Sequence, residues 1–212
     1  MIKVISFDIG GTLLINEKND KYNLKSLASL VDLPYENVRE VYKRVFQKSK
    51  GSFDELVNVF CNNLEIKVND EINNFFYNKF NCNTGSISQK KIDIIKKLKS
   101  MGYKIILFSN NCCLIKNNFD SDFFGLVDEF FYSFDLGYTK SDEESYSYIE
   151  KKMNVLPEEF LHIGDTLKSD YVNPIKNGWN ALYFGEIDDN NIYNITSLDE
   201  IFDYLRIKGK SL

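Results

Sequence analysis

Four polar residues of this chain stand where predicted strands end. Asp8 directly follows a short apolar segment, Ser109 follows a second, and Asp165 comes shortly after a third. Lys140 lies beyond a fourth. Each of them alone is more often a helix cap, a turn residue or a solvated side chain. Because ligands of an open parallel sheet bind beyond the carboxyl ends of its strands, their shared position indicates one common site.

These residue types suit phosphoryl transfer. Asp8 can attack phosphorus as a carboxylate nucleophile. Asp165 and Asp170 add carboxylates, and carboxylate oxygens are ligands that Mg²⁺ prefers. Lys140 can pair with Asp8 and with a phosphoryl oxygen, as the charge that develops during transfer requires.

Hydrogen-bond donors for a phosphoryl group lie nearby in the sequence. Ser109 and Thr12 carry hydroxyl groups, and the Gly10-Gly11-Thr12 turn offers backbone N–H groups that can form an anion-binding nest. A positively charged lysine, a carboxylate nucleophile and hydrogen-bond donors are therefore all present among residues that the predicted topology brings to one edge of the sheet.

The pattern along the chain predicts an α/β fold. Apolar, β-branched segments are predicted as strands at residues 3–7, 103–108, 130–134, 160–163 and 181–184. Helical periodicity separates most of them, which indicates a mainly parallel sheet with helices on both faces. Two capping patterns in this part predict helix starts, at Ser141 with Glu144 and at Ser197 with Glu200.

Residues 16–83 differ from the rest because they have helical spacing and no predicted strand. Ser52 and Glu55 form a capping-box pattern, and Asp70 is predicted to cap a later helix. This segment is therefore predicted as a helical unit inserted after the first strand.

The motifs and their order resemble those of the haloacid dehalogenase-like superfamily. Residues 7–14 (FDIGGTLL) are similar to its first motif, D-x-D-G-T-L, and residues 106–110 (ILFSN) to its second. Lys140 stands where the third-motif lysine stands, and residues 164–170 (GDTLKSD) resemble the fourth motif, G-D-x-x-x-x-D.

This resemblance implies a Rossmann-like parallel-sheet core, residues 1–15 and 84–212, with an inserted all-helical cap, residues 16–83. It implies hydrolysis of a small phosphorylated substrate through an aspartyl-phosphate on Asp8, with Mg²⁺ as cofactor. The implied catalytic residues are Asp8, Thr12, Ser109 and Lys140, the implied substrate contacts are Gly11 and Asn110, and the implied magnesium ligands are Asp8, the backbone carbonyl of Gly10, Asp165 and Asp170.

Position 10 departs from the family's phosphatases, which carry a second Asp there as general acid and base. Gly10 has no side chain, and a positioned acid or base is typically worth about 10² to 10⁴ in rate. The sequence thus favours a slow phosphatase or one limited to activated aryl and acyl phosphates.

Other readings stay open at this stage. One is a degenerate relative that binds a phosphorylated ligand or a partner without turnover. A phosphonatase-like C–P hydrolase would need a Schiff-base lysine from the cap, for which Lys43, Lys48 and Lys50 are available. A metal-free dehalogenase is disfavoured by Asp165 and Asp170. A sugar kinase of the actin-like fold is disfavoured because a helical segment, not a β-hairpin, is predicted after residue 15.

Composition limits the classes of partner. Lys plus Arg is 26 and Asp plus Glu is 31, so the net charge is −5. This charge does not favour binding to nucleic acid. No segment approaches the roughly 20 apolar residues of a membrane span. Four cysteines without a C-x-x-C spacing indicate reduced thiols in a cytoplasmic protein rather than a zinc site. A monomer and a homodimer are equally compatible with the sequence.

Overall fold

A computed structural model of the chain describes residues 1–14, 20–81, 85–115, 119 and 121–209. Its centre is a six-stranded sheet with the order β3-β2-β1-β4-β5-β6, and all neighbouring strands are parallel. The strands are β1 (Val4–Phe7), β2 (Lys104–Ser109), β3 (Glu129–Tyr132), β4 (Phe160–Gly164), β5 (Asn180–Phe184) and β6 (Asn194–Ile195). The predicted Rossmann-like α/β fold is confirmed.

The strand order reverses beside β1. From β1 the chain crosses to β2 and β3 on one side, whereas β4, β5 and β6 lie on the other. Such a switch point opens a crevice outside the carboxyl ends of the two central strands. Phe7 is in register with Ile163 of β4 and with Leu107 of β2, so the residues that follow these three strands emerge at the same edge of the sheet.

Both faces of the sheet are covered, which explains why β1 is apolar throughout. Ile5 and Phe7 belong to the core on one face, together with Leu107 and Ile163 of the neighbouring strands. Val4 points to the opposite face and packs in a second core that contains Phe108, Phe160 and Trp179. This alternation follows from the two-residue period of a strand.

Residues 20–81 form the helical insertion, which lies between β1 and the next helix of the core. Its helices are α1 (Leu24–Leu30), α2 (Tyr35–Tyr42), α3 (Phe53–Asn63) and α4 (Asp70–Phe80). The Phe46 ring lies 4.7 Å from that of Phe76 and 5.2 Å from that of Phe80, measured between centroids, inside a core that belongs mainly to the insertion. A π-helical turn, Lys43–Gln47, directly follows α2.

The insertion is fastened to the sheet domain by polar contacts and by apolar packing. Lys48 Nζ lies 2.7 Å from Asp142 Oδ2, and Lys50 forms an ion pair with Asp135. Cys112, which comes shortly after β2, is buried in the insertion's hydrophobic core.

The core helices follow in chain order. They are α5 (Gln89–Ser100), α6 (Ser121–Phe124), α7 (Ser133–Leu136), α8 (Glu143–Met153), α9 (Asn173–Lys176) and α10 (Ile201–Gly209). Throughout the described part of the chain, every helix falls short of the length and apolar character needed to cross a bilayer.

Several local predictions are wrong in detail. The third strand ends at Tyr132 rather than at residue 134, because the Ser133 hydroxyl bonds to the backbone of Asn111 and α7 begins there. β6 was not predicted, because two residues at a sheet edge are too few to show a period.

Two predicted helix caps are also wrong, whereas two predicted capping boxes are confirmed. Asn69, not Asp70, caps α4, through its Oδ1 and the Ile72 amide. Asp142, not Ser141, precedes α8, and the Asp142 carboxylate is bonded to Thr139 instead of capping the helix. The capping boxes stand at Ser52 with Glu55 and at Ser197 with Glu200.

Candidate active site

The site begins with Asp8, where β1 leaves the sheet. Its amide donates to the carbonyl oxygen of Ile163 on β4 at 2.9 Å, so the backbone is still held by the neighbouring strand. The residue is only 8% exposed. Asp8 is therefore a buried carboxylate fixed by the two central strands at the switch point.

Lys140 joins Asp8 to Asp170. Its Nζ donates to Oδ1 of Asp8 and to Oδ1 of Asp170, and both distances are 2.6 Å. The lysine side chain is 1% exposed. A buried ammonium between two carboxylates neutralises part of their charge and holds both in place, because charged groups away from water are retained when they are paired.

The backbone of Lys140 is held at both ends. Its amide donates to Asn110 Oδ1 at 2.9 Å, and its carbonyl oxygen accepts bonds from Tyr146 Oη at 3.0 Å and Asn173 Nδ2 at 2.9 Å. Neither Tyr146 nor Asn173 was singled out from the sequence, since tyrosine and asparagine at these positions carry no distinctive spacing. They position the lysine without touching the cavity.

Both carboxylate oxygens of Asp170 are held by neighbouring groups. Its Oδ2 accepts a bond from the Thr166 amide at 2.9 Å, and its Oδ1 lies 3.3 Å from His162 Nε2. Burial alone would raise the pKa of Asp170, but the Lys140 ammonium and His162 hold that pKa below its ordinary value. Asp170 is therefore ionised at neutral pH.

His162 lies on β4 and supports Asp170. It is fully buried, and its Nδ1 lies 2.8 Å from the Ser6 hydroxyl. Burial, together with the nearby Lys140 charge, lowers the pKa of His162 to about 4. The ring is neutral at physiological pH and orients Asp170 by contact.

Asp165 brings a third carboxylate to the group. One oxygen from each of Asp8, Asp165 and Asp170 lies within 4.8 Å of the other two. Two glycines make this approach possible, because a β-carbon at Gly11 would overlap the Asp165 carboxylate and one at Gly164 would overlap Asp170. Both glycines are thus required by the carboxylates that pack against them.

The cluster changes the acidity of Asp8. Burial raises the pKa of Asp8 to about 6, and the charges of Asp170 and Asp165 act in the same direction, while Lys140 opposes them. Three carboxylates with one lysine carry an excess of negative charge, so a cation at the cluster would favour the ionised form of Asp8.

A cavity of about 420 Å³ opens in front of these groups. Six predicted site residues line it: Asp8, Gly10, Ser109, Asn110, Lys140 and Asp170. The cavity walls also include four polar residues that sequence reasoning missed, namely Gln47, Asn111, Thr166 and Ser169. Gln47 comes from the π-helical turn of the insertion, and no motif marked it.

Three predicted residues do not line this cavity. Asp165 and Gly11 pack on each other, as described above. Thr12 is fully buried, and its hydroxyl has no hydrogen-bond partner within the described residues. The Thr12 carbonyl oxygen accepts a bond of 2.5 Å from Lys91 Nζ, which also bonds the Leu13 carbonyl and so fixes the turn after Asp8.

The sequence profile of the haloacid dehalogenase-like hydrolases matches residues 2–171. The chain belongs to this family. Among curated relatives, an uncharacterized hydrolase of Schizosaccharomyces pombe is 26% identical over 208 residues, which cover 86% of this chain and 90% of the relative.

Solved structures of haloacid dehalogenase-like enzymes have the same fold. A family hydrolase from Porphyromonas gingivalis superposes with a TM-score of 0.66 at 19% identity, covering 97% of this chain and 98% of the other. A family enzyme from Bacteroides thetaiotaomicron, in complex with magnesium and inorganic phosphate, gives 0.59 at 17% identity over 90% and 98%. A 2-haloacid dehalogenase from Pseudomonas syringae gives 0.61 at 18% identity over 97% and 99%.

In this haloacid dehalogenase-like hydrolase, Gly10 lines the cavity without a side chain. Asp8 and Asp170 are the acidic residues on the described cavity wall. Asn16 and Glu17 follow the first motif closely, so the sequence predicts that they lie near the cleft, but both fall outside the described residues. Of the lysines considered for a Schiff base, Lys48 pairs with Asp142, as noted above, and none of the three lines this cavity.

Proposed function

We propose that this protein is a Mg²⁺-dependent hydrolase that acts on a small phosphorylated metabolite through an aspartyl-phosphate on Asp8. The observation that carries the proposal is the position of Lys140, 2.6 Å from both Asp8 and Asp170, at the wall of a cavity of about 420 Å³. That volume lies within the range of small-molecule sites, about 300–1,000 Å³.

The donor set fits magnesium. Asp8, Asp165 and Asp170 each offer a carboxylate oxygen within the same 4.8 Å span, and hard oxygen ligands suit this ion. The Gly10 carbonyl is the proposed fourth protein ligand. When bound, Mg²⁺ would neutralise phosphoryl oxygens and lower the repulsion between substrate and carboxylates.

The first half of the reaction uses Asp8. Its Oδ1 is bonded to Lys140, so Oδ2 is the proposed attacking atom. A bond forms between Oδ2 and phosphorus while the bond from phosphorus to the leaving oxygen breaks, and that oxygen departs with the electron pair. Lys140, the Ser109 hydroxyl, the Asn110 amide and the backbone amide of Thr12 are the proposed donors to the phosphoryl oxygens. The Gly11 amide donates to the Leu14 carbonyl oxygen at 2.9 Å.

The second half regenerates Asp8. Water attacks phosphorus, the bond to Asp8 Oδ2 breaks with its electron pair returning to the carboxylate, and inorganic phosphate leaves with the oxygen taken from water, whose proton passes to the solvent. Gly10 supplies neither the proton for the leaving group nor the base for water. We therefore propose that the enzyme is slow on alkyl esters and prefers aryl or acyl phosphates, whose leaving groups need little protonation.

We further propose that the helical segment predicted at residues 16–83 acts as a cap. Gln47 from that segment lines the same cavity as Asp8, and the Lys48 ammonium forms an ion pair with Asp142 of the core. A cap over the cavity would exclude water and set specificity.

Hydrolysis of 4-nitrophenyl phosphate and acetyl phosphate, with Mg²⁺ and with EDTA, tests the proposal on the wild type and on Asp8→Asn. Turnover is expected to require Mg²⁺ and to fall at least about 10³-fold in the variant, as for loss of other covalent nucleophiles. Asp188→Asn is the matched control, since Asp188 is exposed and outside the cavity. Turnover that survives in Asp8→Asn would disprove the covalent mechanism.

The same preparation separates the other family activities. Metal-independent release of halide from 2-chloropropionate would show a dehalogenase instead. Binding of inorganic phosphate with Mg²⁺, without turnover of either phosphate ester or anhydride, would show a ligand-binding protein.

A further inference from the structure

A second cavity of about 230 Å³ adjoins the one that contains Asp8. The two share four wall residues: Gln47, Asn110, Thr166 and Ser169. Asn110 also accepts the hydrogen bond from the Lys140 amide, so the shared wall is part of the site itself. At about 30 Å³ per water-sized group, the second cavity holds roughly eight such groups, enough for a short leaving group.

The charge of this second cavity is opposite to that of the whole chain. Arg39 and Lys43 from the insertion and Lys168 from the core line it, and its described wall contains no carboxylate. The chain as a whole has a net charge of −5. Positive side chains gathered on a concave surface of an acidic protein concentrate anions there.

Two of the three cations are available for a ligand. Arg39 is bonded to Glu36 at 2.6 Å, so its charge is partly compensated on its own helix. Neither Lys43 nor Lys168 has a carboxylate within 4.0 Å among the described residues. Lys43 interacts at longer range with Asp142, whose carboxylate is already paired with Lys48. Lys43 is half-buried on the insertion, and Lys168 is exposed on the core, so an anion between them would contact both parts of the molecule.

We propose that the leaving group of the substrate carries a second anionic group, a carboxylate or another phosphate, which binds in this second cavity at Lys43 and Lys168. This inference rests on the proposed function, because it assigns the transferred phosphoryl group to the first cavity. One ammonium group comes from the insertion and the other from the core. Binding of the second anion by both groups would therefore favour closure of the two parts on the substrate.

A matched pair of substrates isolates the second charge. 4-Carboxyphenyl phosphate and its methyl ester, 4-(methoxycarbonyl)phenyl phosphate, are both aryl phosphates and differ in the anion. The ester has the better leaving group, so leaving-group chemistry alone would favour the ester and not the carboxylate. The wild type is expected to hydrolyse the carboxylate with a kcat/KM about tenfold higher or more. An alkanediol bisphosphate and the matching methoxyalkyl phosphate, used as competitive inhibitors, test a phosphate in the same position.

Lys43→Gln and Lys168→Gln are each expected to reduce the preference for the charged compound several-fold, mainly through KM, and to change kcat/KM for the methyl ester much less than for the carboxylate. Arg44→Gln is the control, because Arg44 lies next to Lys43 but bonds Asn63 Oδ1 at 2.6 Å and does not line the cavity. Equal kcat/KM for both esters together with no preference among the inhibitors would overturn the proposal. A preference that survives in both lysine variants would also overturn it.

Binding to Asp8→Asn with Mg²⁺, measured by calorimetry, keeps this test independent of turnover. Tighter binding of the carboxylate than of its ester, lost in Lys43→Gln, supports the anionic subsite even if no substrate is hydrolysed. Turnover of the methyl ester with equal affinity for both compounds overturns the subsite and leaves the hydrolase proposal standing.

Discussion

The Asp165 carboxylate occupies the space that a side chain at Gly11 would need. A β-carbon built at Gly11 overlaps Asp165 Oδ2, and the backbone there has a φ of +78°, a conformation that favours glycine. Gly11→Ala should therefore displace Asp165 as well as strain the backbone. We expect a loss of about 1–2 kcal/mol from the backbone alone, and a larger loss of Mg²⁺ affinity, measured by calorimetry.

Gly102→Ala separates these two effects. Gly102 has a φ of +92° but nothing within 4 Å of its added β-carbon, so it shares the strain without the overlap. It should lower the melting temperature and leave Mg²⁺ binding unchanged. If Gly11→Ala bound Mg²⁺ as tightly as Gly102→Ala does, Asp165 would not be a metal ligand.

The raised pKa of Asp8 predicts a pH-dependent stability in the absence of metal. Its folded-state pKa is about 6, above the unfolded value of about 3.9, so the folded state binds this proton more tightly. Between pH 4 and pH 6 the folded protein carries more protons, and stability therefore falls as the pH rises through that window. Asp8→Asn has no such group and should gain stability relative to wild type as the pH rises.

Thermal unfolding in EDTA at pH 4.5 and pH 7.5 measures this difference. The melting temperature of Asp8→Asn minus that of wild type should increase by about 5 °C between the two values. Asp188→Asn should show no such trend. Saturating Mg²⁺ should stabilise the wild type more than Asp8→Asn, since a ligand stabilises the state that binds it. A difference that does not change with pH would show that burial does not penalise the Asp8 carboxylate.

Much of the site could be predicted because its residues follow strands. The positions of Asp8, Ser109 and Asp165 just after apolar segments, combined with the topology of a parallel sheet, were enough to place them at one edge. Lys140 follows no strand directly, yet its Nζ reaches Asp8. Its place came from the resemblance to a motif, not from periodicity.

The parts that could not be predicted depend on contacts between distant segments. Gln47 reaches the cavity through a π-helical turn, which has no sequence signal of its own. The Asp142 carboxylate bonds Thr139 and Lys48, and therefore does not cap α8 as a local pattern would suggest. A helix cap is predicted from only four consecutive residues. The bonds of Asp142 reach as far as Lys48, 94 positions away, so contacts between distant segments decide whether the cap forms.

We expect the ion pair between Lys48 and Asp142 to affect substrate binding in the cavity as well as the stability of the fold. Its side chains are 26% and 21% exposed, and Lys48 directly follows Gln47, which lines the cavity. Lys48→Met should cost up to about 1 kcal/mol, a drop of about 2–4 °C in melting temperature, and should raise KM several-fold. Steady-state kinetics with an aryl phosphate measures the second effect.

Lys50→Met provides the comparison. Its pair with Asp135 is 61% and 41% exposed, and Lys50 does not line the cavity, so neither KM nor the melting temperature should change measurably. Equal effects of the two substitutions on KM would mean that the Lys48 pair does not position Gln47.

Gly10→Asp should restore the missing acid and base. Gly10 lines the cavity and is not among the described glycines with a left-handed φ, so an L-residue can adopt its backbone. A positioned acid or base contributes about 10² to 10⁴ in rate, and the gain in kcat should be greater for alkyl than for aryl phosphates, because alkoxides need protonation more. Hydrolysis rates across a series of leaving groups measure this slope.

Gly10→Asn is the matched control, since its side chain has nearly the same size and no acidic proton. In Gly10→Asp, the dependence of kcat on the leaving group should become weaker. The amount of aspartyl-phosphate trapped by acid quenching should also decrease, because the new carboxylate activates water. In Gly10→Asn, both quantities should stay as in the wild type. If the two variants behaved alike, the carboxylate missing at position 10 would not limit this enzyme, and the acid and base would have to come from another group.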